Sequence, residues 1–326
     1  MKTHRLAQTD ITVSRIGYGC ASLGTWDNAS IDADAVCKAD RLIKTAYEHG
    51  ITLFDHADLY AFGKSEALFG EVLTRSPGLR DQLVLQSKCG QFFPAGWAPG
   101  KPIGVDLSSE HIITAVEGSL KRLATTHLDI LLLHAPDALT PDEEIARAFD
   151  QLKASGKVRY FGVSNFTGAQ IARLKKSVAQ PLIVNQIHIS LGAPAYITDG
   201  LDFTLSLAKG SASAVSTSHT GTLDYCRLHD IQVQAWSPLS GEILKAPEQA
   251  DPKLKPTVEK LVELARNKNT TPAVVALAWV LQHPANIFPI IGPTNPTHIV
   301  ENCEAAEVTL SREEWYALLA TASDLR

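Results

Sequence analysis

Short apolar runs that end in a charged or proton-handling residue recur along the chain. One run is followed by Asp55, a second ends in Lys88 and a third is followed by His134. Their β-branched and aromatic content predicts buried strands. A charged side chain has no packing role at the end of a buried strand. We therefore expect these strands to deliver polar groups to a shared cleft.

Eight short apolar runs, these three among them, alternate with stretches whose apolar residues recur at helical spacing. The predicted strands span about 16–19, 51–55, 83–88, 130–134, 158–163, 182–186, 231–236 and 287–291. The predicted helices span about 33–49, 65–73, 108–123, 141–155, 167–177, 222–229, 254–267 and 272–283, and two more begin near 296 and 311. Eight βα units predict an α/β fold of the (β/α)8 TIM-barrel type. A doubly wound sheet is the alternative, but no GxGxxG motif follows the first predicted strand.

Three segments depart from this alternation. Residues 4–14 predict a small N-terminal β-hairpin. The segment 89–105 is rich in Gly, Pro and aromatic residues and predicts a long loop without secondary structure, which is more often functional than not. The segment 191–220 predicts an enlarged loop and a candidate lid. Ser65 is predicted to cap the helix that follows Asp55.

The composition is that of an ordinary globular protein. The 326 residues are 45% hydrophobic and 20% charged, and we expect one barrel domain over 1–326. The net charge of -5 argues against nucleic-acid and anionic-membrane partners. The five cysteines are scattered without a CxxC pair, which predicts neither a disulfide framework nor a metal site. No signal-peptide or membrane-spanning pattern is recognisable, so a cytoplasmic location is expected.

Seven motifs lie at or near the predicted strand ends. In chain order they are Phe54-Asp-His-Ala-Asp-Leu-Tyr60, Ser87-Lys88, Leu131-Leu-Leu-His134, Gly162-Val-Ser-Asn-Phe166, Asn185-Gln186, Ala235-Trp-Ser-Pro-Leu239 and Ile290-Ile-Gly292. In this order they resemble the aldo-keto reductases over nearly the whole chain, and within that family the bacterial YdhF-like reductases. The resemblance implies a reductase that transfers a hydride from NAD(P)H to an aldehyde or ketone.

The resemblance also implies a catalytic tetrad of Asp55, Tyr60, Lys88 and His134. Hydride transfer to a carbonyl leaves negative charge on its oxygen, which needs a proton or a hydrogen-bond donor. A tyrosine with a pKa of about 10 is a poor acid unless a cation lies near. Lys88 would supply that cation, Asp55 would hold it, and His134 would orient the carbonyl oxygen. Each residue alone has an ordinary structural explanation, such as a turn aspartate, but their shared position at strand ends favours the catalytic one.

The resemblance places the cofactor across the remaining strand ends. Ser164, Asn165 and Gln186 would hold the nicotinamide carboxamide, although the first two are also natural helix caps. Trp236 would stack on the nicotinamide ring, with a buried core tryptophan as the alternative. The other implied cofactor residues are Gly19, Cys20, Ser237, Leu239, Gly241, Gly292, Thr294, Asn295, His298, Glu301 and Asn302.

NADP(H) is the cofactor that the resemblance implies by default, but one departure leaves NAD(H) open. Relatives that prefer NADPH usually place Lys or Arg near the 2′-phosphate, and this chain has Asn295 and His298 there. A neutral pocket lacks the charge-assisted hydrogen bonds that select a phosphate. Use of NADH is therefore a second hypothesis.

Aromatic residues predict the substrate pocket. The candidates are Trp26, Phe92, Phe93 and Trp97, with Cys20 as a further candidate for the wall. An aromatic wall suits a sugar and an aromatic aldehyde equally. The expected partner is therefore a small-molecule carbonyl compound or sugar, and a monomer is favoured.

Three other functions are alternatives. The same chemistry could run in reverse, as an NAD(P)-dependent sugar or alcohol dehydrogenase. The chain could be a cofactor-binding regulatory subunit, although a regulatory subunit has no need of the proton donor Tyr60. It could also be a barrel lyase or isomerase without nicotinamide, because fold does not fix function. That reading leaves Gln186 and Trp236 unexplained.

Overall fold

Eight of the strands in the described residues close into a parallel barrel. The computed structural model describes residues 1–27, 29–94, 103–199, 201 and 220–322. The strands are β1 (Thr3–Arg5), β2 (Thr12–Ser14), β3 (Gly17–Gly19), β4 (Leu53–Asp55), β5 (Val84–Cys89), β6 (Gln91–Phe92), β7 (Gly104–Val105), β8 (Leu128–Leu133), β9 (Val158–Ser164), β10 (Leu182–His188), β11 (Gln232–Trp236) and β12 (Phe288–Ile291). The barrel order is β3, β4, β5, β8, β9, β10, β11 and β12, and β12 pairs with β3 to close it. The predicted (β/α)8 barrel is confirmed.

Helices cover the outside of the barrel. They are α1 (Ala33–Glu48), α2 (Lys64–Arg75), α3 (Ser109–Arg122), α4 (Asp142–Ala154), α5 (Gly168–Leu174), α6 (Ala195–Thr198), α7 (Thr222–Leu228), α8 (Lys255–Asn267), α9 (Pro272–Leu281), α10 (Pro296–Cys303) and α11 (Arg312–Ala322). Their apolar faces join the outward residues of the strands in one large core, which includes Ile43, Phe69 and Phe149. Thr271 caps α9 as a sequence of Thr followed by Pro predicts, and its hydroxyl accepts from the amide of Val274.

The N-terminal hairpin closes the amino-terminal end of the barrel. Strands β1 and β2 pair antiparallel, which confirms the predicted hairpin. Leu6, Ile11 and Val13 from this hairpin form a second apolar cluster with inward residues of the barrel strands. Leu53 and Phe288, the first residues of β4 and β12, belong to it. Among the described residues, apolar side chains therefore fill the barrel interior at this end.

Two local predictions are wrong. Ser65 does not cap a helix, because α2 begins at Lys64 and the left-handed Gly63 precedes it. Ser65 is instead buried within the helix and accepts from the amide of Gly24. The segment 89–105 is not free of secondary structure, because β6 and β7 pair antiparallel within it.

The enlarged loop expected over 191–220 lies mostly outside the described residues. Its described beginning contains the short helix α6. A bridge between Ser190 and Ala193 precedes that helix. Residues 200 and 202–219 are not among the described ones.

Candidate active site

A cavity of about 970 Å³ opens where the barrel strands end. This volume lies at the upper end of the range for small-molecule and cofactor sites. The wall contains residues from the ends of six barrel strands or just beyond them, namely Gly19, Asp55, His134, Ser164, Trp236 and Ile291. Active sites of (β/α)8 barrels lie at this end of the strands. The predicted meeting of polar strand ends in one cleft therefore occurs.

Lys88 is the centre of the site. Its side chain is 1% exposed, and its ammonium donates to three oxygens. The acceptors are Oδ2 of Asp55 at 2.7 Å, the backbone oxygen of His56 at 2.8 Å and Oη of Tyr60 at 2.9 Å. An ammonium has three N–H groups, so each has a partner. The charge is consequently fixed between the Asp55 carboxylate and the Tyr60 hydroxyl.

The charges around Lys88 keep it protonated. Burial by itself lowers the pKa of Lys88, but the Asp55 carboxylate and the Tyr60 hydroxyl raise it by more, so the net pKa lies above its ordinary value. The Asp55–Lys88 ion pair is enclosed, with side chains only 3% and 1% exposed. The site therefore holds a permanent cation beside the hydroxyl of Tyr60.

Tyr60 faces the cavity at a sharp turn of the backbone. The next two residues, Ala61 and Phe62, have left-handed φ angles of 49° and 58°. Non-glycine residues adopt this conformation at a free-energy cost, and such residues are frequent at functional sites. Burial raises the pKa of Tyr60, and the Lys88 ammonium opposes that shift. Because Oη accepts from Lys88, the hydroxyl hydrogen of Tyr60 remains available to a ligand.

His134 faces the same cavity as a neutral imidazole. Burial, assisted by the positive charge of Lys88, holds the pKa of His134 well below its usual value. Its ring centroid lies 6.0 Å from that of Tyr60. Nδ1 is buried without a hydrogen-bond partner among the described residues. A hydrogen on Nδ1 would lack an acceptor, which favours the tautomer that carries the hydrogen on Nε2 and can donate it to a ligand.

The residues implied for the nicotinamide form one hydrogen-bonded group. The indole Nε1 of Trp236 donates to Oδ1 of Asn165 at 2.9 Å, and Nδ2 of Asn165 donates to the backbone oxygen of His134 at 3.0 Å. The Ser164 hydroxyl donates to the backbone oxygen of Gln186 at 2.8 Å. Asn165 has a left-handed φ of 63°, which asparagine tolerates better than most residues. This turn directs its amide between two strands.

Trp236 is held on one face by another aromatic ring. His188 stacks on it with ring centroids 4.0 Å apart and planes 9° from parallel. The indole is half-buried and lines the cavity, so it is not a core tryptophan. A planar ligand could therefore stack on the indole only from the side away from His188.

The far end of the cavity lies between the loop after β11 and helix α10. Of the residues implied for the cofactor, the wall there contains Ser237, Leu239, Gly292, Thr294, His298, Glu301 and Asn302. Gly241 begins a short 3-10 helix directly after Ser240, which lines the cavity. No lysine or arginine is present among the described residues of the wall. This end is therefore neutral to acidic, with Glu301 as its carboxylate.

Asn295 differs from the expectation because its side chain does not line the cavity. It caps helix α10 instead, with Oδ1 accepting from the amide of Thr297 at 3.0 Å. The cap engages the amide oxygen of Asn295, which is then not available to a ligand. His298, one turn later, is the residue of this pair that reaches the cavity.

The chain matches the description "Aldo/keto reductase family" over residues 15–321. It belongs to the aldo/keto reductase family. It is 33% identical over 321 residues to "6-dehydroglucose reductase" from Agrobacterium fabrum (strain C58 / ATCC 33970), covering 98% of this chain and 97% of that one. It is 35% identical over 289 residues to "Oxidoreductase YdhF" from Escherichia coli (strain K12), covering 87% and 88% of the two chains. The resemblance found in the sequence is confirmed, and the protein is an aldo-keto reductase-type oxidoreductase.

A solved structure of this family has the same fold. The thermostable aldo-keto reductase Tm1743, in complex with the inhibitor epalrestat, superposes with a TM-score of 0.75 at 26% identity, covering 98% of this chain and all of that one. Reductases of this family typically use NAD(P)H and act on small-molecule carbonyl compounds. None of the described helices has the length and apolar character needed to cross a bilayer.

The aromatic residues predicted for the substrate pocket separate in this aldo-keto reductase. Trp26 and Phe93 pack edge-to-face with each other at 6.1 Å, and each also meets Phe62. Phe62 and Phe93 of this cluster each follow a cavity residue, Tyr60 and Gln91, by two positions in the chain. The cluster itself is not part of the wall. Phe92 points elsewhere and lies near the ring of His111, with centroids 6.0 Å apart.

The last two predicted residues are Cys20 and Trp97. Cys20 is fully buried beneath it, and its neighbours Ala21 and Ser22 line the cavity in its place. Trp97 lies outside the described residues.

Several site residues were missed in the sequence. Gln91, Leu244, Thr271 and Pro272 line the cavity, and nothing in their local pattern singles them out. For two buried glutamines behind the tetrad, the spacing along the strand could have predicted their position. Gln86 lies two residues before Lys88, and Gln234 two residues before Trp236. Alternate residues of a strand face the same side, so both were placed to face the barrel interior.

Proposed function

We propose that this enzyme reduces an aldehyde or ketone to an alcohol with NAD(P)H, and that Tyr60 is the proton donor. The observation that carries the proposal is the contact of Lys88 with Oδ2 of Asp55 at 2.7 Å and with Oη of Tyr60 at 2.9 Å. A buried cation against a tyrosine hydroxyl stabilises the phenolate that remains after the proton has left. This arrangement is costly to bury and has no evident structural purpose.

The side chains divide the work on the carbonyl oxygen. Tyr60 gives its hydroxyl proton to the oxygen as negative charge develops there, and Lys88 stabilises the phenolate. His134, kept neutral by burial, donates a hydrogen bond from Nε2 to the same oxygen. Asp55 holds Lys88 and touches no reacting atom. A bound reduced nicotinamide supplies the hydride.

The chain offers partners for a nicotinamide. Nε2 of Gln186 donates to Asp55 and to Gln234, so its carbonyl oxygen remains to accept from a carboxamide NH2. The free face of Trp236 can stack on the ring. The cavity continues from these residues to Glu301, which leaves room for the rest of a dinucleotide. These residues fit the cofactor.

The variant Tyr60→Phe tests the assignment of the proton donor. It removes one hydroxyl and should lower kcat by about a hundredfold to ten-thousandfold. Binding of NADPH or NADH, followed by quenching of tryptophan fluorescence, should remain within about threefold because the phenol contacts the carbonyl. The reverse reaction, oxidation of an alcohol, should fall by a similar factor. Turnover close to that of the unaltered enzyme would rule Tyr60 out as the donor.

We infer further that the enzyme accepts NADH readily. The described wall of the adenosine end has no lysine or arginine, and Glu301 would repel a 2′-phosphate. A carboxylate there can accept a hydrogen bond from the free 2′-hydroxyl of the ribose in NADH. The expected result of separate titrations is an NADH affinity equal to or higher than that for NADPH.

His298→Arg tests this inference. It adds a cation that can pair with the 2′-phosphate, and should raise the ratio of kcat/KM for NADPH over NADH by about tenfold or more. Asn295→Arg is a weaker test because it also removes the helix cap. Tighter binding of NADPH by the unaltered enzyme, together with no change of the ratio in His298→Arg, would contradict the inference.

A sugar carbonyl is the first substrate class to test. The relative from Agrobacterium fabrum is named for 6-dehydroglucose. The polar side chains of Ser22 and Gln91 in the cavity wall can hydrogen-bond to hydroxyl groups. The probes are 6-dehydroglucose, glyceraldehyde and para-nitrobenzaldehyde. Higher kcat/KM for the aromatic aldehyde than for both sugars would argue against a sugar substrate.

A further inference from the structure

A layer of three glutamines fills the barrel interior behind the tetrad. Gln86, Gln186 and Gln234 come from β5, β10 and β11, and each is at most 1% exposed. Interior layers of (β/α)8 barrels are normally filled by branched apolar side chains. Burying an amide without a hydrogen-bond partner costs free energy, so buried amides normally have partners.

The three amides share their hydrogen bonds around one oxygen. Oε1 of Gln234 accepts from Nε2 of Gln86 at 2.8 Å and from Nε2 of Gln186 at 2.9 Å. Nε2 of Gln234 donates back to Oε1 of Gln86 at 3.0 Å. Each amide nitrogen carries two hydrogens, so one hydrogen remains on Gln86 and one on Gln186. Both remaining hydrogens are directed to Oδ1 of Asp55, at 2.6 Å and 3.1 Å.

We propose that Gln86 and Gln234 are positioning residues for the proton donor, an inference that rests on the proposed function of Tyr60. Oε1 of Gln234 accepts one amide hydrogen from Gln86 and one from Gln186. This fixes the orientation of both amides, so that the second hydrogen of each is donated to Oδ1 of Asp55. Oδ2 is then the oxygen left for Lys88. Neither Gln86 nor Gln234 lines the cavity, so both act through Asp55 rather than on a ligand.

The geometry explains why this matters for catalysis. Without Gln86, Oδ1 of Asp55 loses the shorter of its two amide donors, and without Gln234 neither Gln86 nor Gln186 is held in the orientation that donates to Oδ1. A buried carboxylate oxygen with weakened donors is unfavourable. The carboxylate would rotate so that both oxygens approach Lys88. Lys88 would then move away from Oη of Tyr60, which it now contacts at 2.9 Å. A displacement of this kind within a catalytic group lowers the rate with little effect on substrate binding.

The test compares Gln86→Leu, Gln234→Leu and the double variant with the unaltered enzyme. The assay uses the probe carbonyl that the unaltered enzyme reduces fastest, with its preferred nicotinamide. Gln232→Leu is the matched control. Gln232 is a buried glutamine of the same strand as Gln234, but its amide donates to the backbone oxygens of Val233 and Asn286 and not to the layer.

Each single variant should lower kcat by about tenfold to a hundredfold, with KM within about twofold. The double variant should be more stable in urea than the single ones, because removal of both partners leaves fewer unpaired amide groups. Its kcat should nevertheless stay as low as that of the weaker single variant. Gln232→Leu should lose stability without losing kcat. If neither single variant folds, the kcat of the double variant is compared with that of Gln232→Leu and of the unaltered enzyme.

A purely structural role would restore kcat together with stability in the double variant, and that result would overturn the proposal. So would a kcat within about twofold of the unaltered enzyme in both single variants. Turnover that is lost in Tyr60→Phe but kept in the glutamine variants would overturn this proposal alone. An unaltered enzyme that reduces none of the probes would overturn the proposed function as well.

Discussion

The barrel interior is apolar at one end and polar at the other. At the amino-terminal end, Leu6 and Val13 of the hairpin meet apolar strand residues such as Phe288. At the carboxyl-terminal end, the interior contains an ion pair, Asp55 with Lys88, and a layer of buried amides. Apolar burial stabilises a fold directly, whereas a buried ion pair adds little net stability. The first end therefore supports the fold, and the second is best explained by chemistry.

Lys88→Met should have the largest effect at the polar end. It removes all three hydrogen bonds of the ammonium, so kcat should fall by about a thousandfold or more. The Asp55 carboxylate would stay buried without its counter-ion, which should lower the free energy of unfolding by about 3–5 kcal/mol. Steady-state kinetics and urea unfolding measure the two losses.

The double variant Asp55→Asn/Lys88→Met separates the loss of activity from the loss of stability. It removes the buried charge that Lys88→Met leaves unpaired, so stability should return toward that of the unaltered protein while activity stays lost. If stability did not return, the polar end would also be supporting the fold, and the contrast between the two ends would fail.

Phe288→Ala should show the opposite pattern at the apolar end. The ring is fully buried in the interior cluster, and its loss should lower the free energy of unfolding by about 3–5 kcal/mol. Because the cavity lies at the other end, kcat and KM measured well below the melting temperature should stay within about twofold. Phe288→Leu is the conservative control and should lose less stability. A large fall of kcat in folded Phe288→Ala would show that the two ends are coupled.

The sequence predicted the two ends unequally. Strand ends such as Asp55 and Lys88 were visible because a charge follows an apolar run, and the barrel follows from the alternation of strands and helices. Phe92 and Phe93 show what composition cannot decide. They are adjacent and chemically identical, yet successive residues of extended backbone face opposite sides. Only one of them joins the aromatic cluster with Trp26.

Asn295 shows a second reason why prediction fell short. Its position after the last strand is the one that the family resemblance implies, but the same position starts helix α10. An asparagine there accepts a hydrogen bond from a free amide at the start of the helix. This helix cap competes with contact between the same side chain and a ligand. The choice between them depends on where the helix begins, and sequence patterns define helix ends less well than helix centres.

Asp58 provides the subtlest comparison, because its carboxyl group is at the polar end and forms no ion pair among the described residues, although Arg122 and Lys88 act on it from a distance. Oδ1 has no hydrogen-bond partner among the described residues. Burial raises the pKa of Asp58 to about 7, and the nearby Glu66 adds to the effect. An aspartate in the unfolded chain titrates near pH 4. Between about pH 4 and pH 7 the folded protein thus binds a proton that the unfolded chain has lost, and Asp58 makes the fold less stable as the pH rises.

Asp58→Asn should remove this dependence. The stability of the variant minus that of the unaltered protein should increase between about pH 4 and pH 7 and then level off, by a total on the order of a few kcal/mol. The neighbouring His56 contributes an opposite slope, because burial lowers its pKa to about 3. This slope is present in both proteins and cancels in the difference. Urea unfolding across the pH range measures it, with the exposed Asp34→Asn as control. A difference that does not change with pH would mean that the pKa of Asp58 is not raised in the folded protein. A carboxylate at this end of the barrel would then need no ion-pair partner.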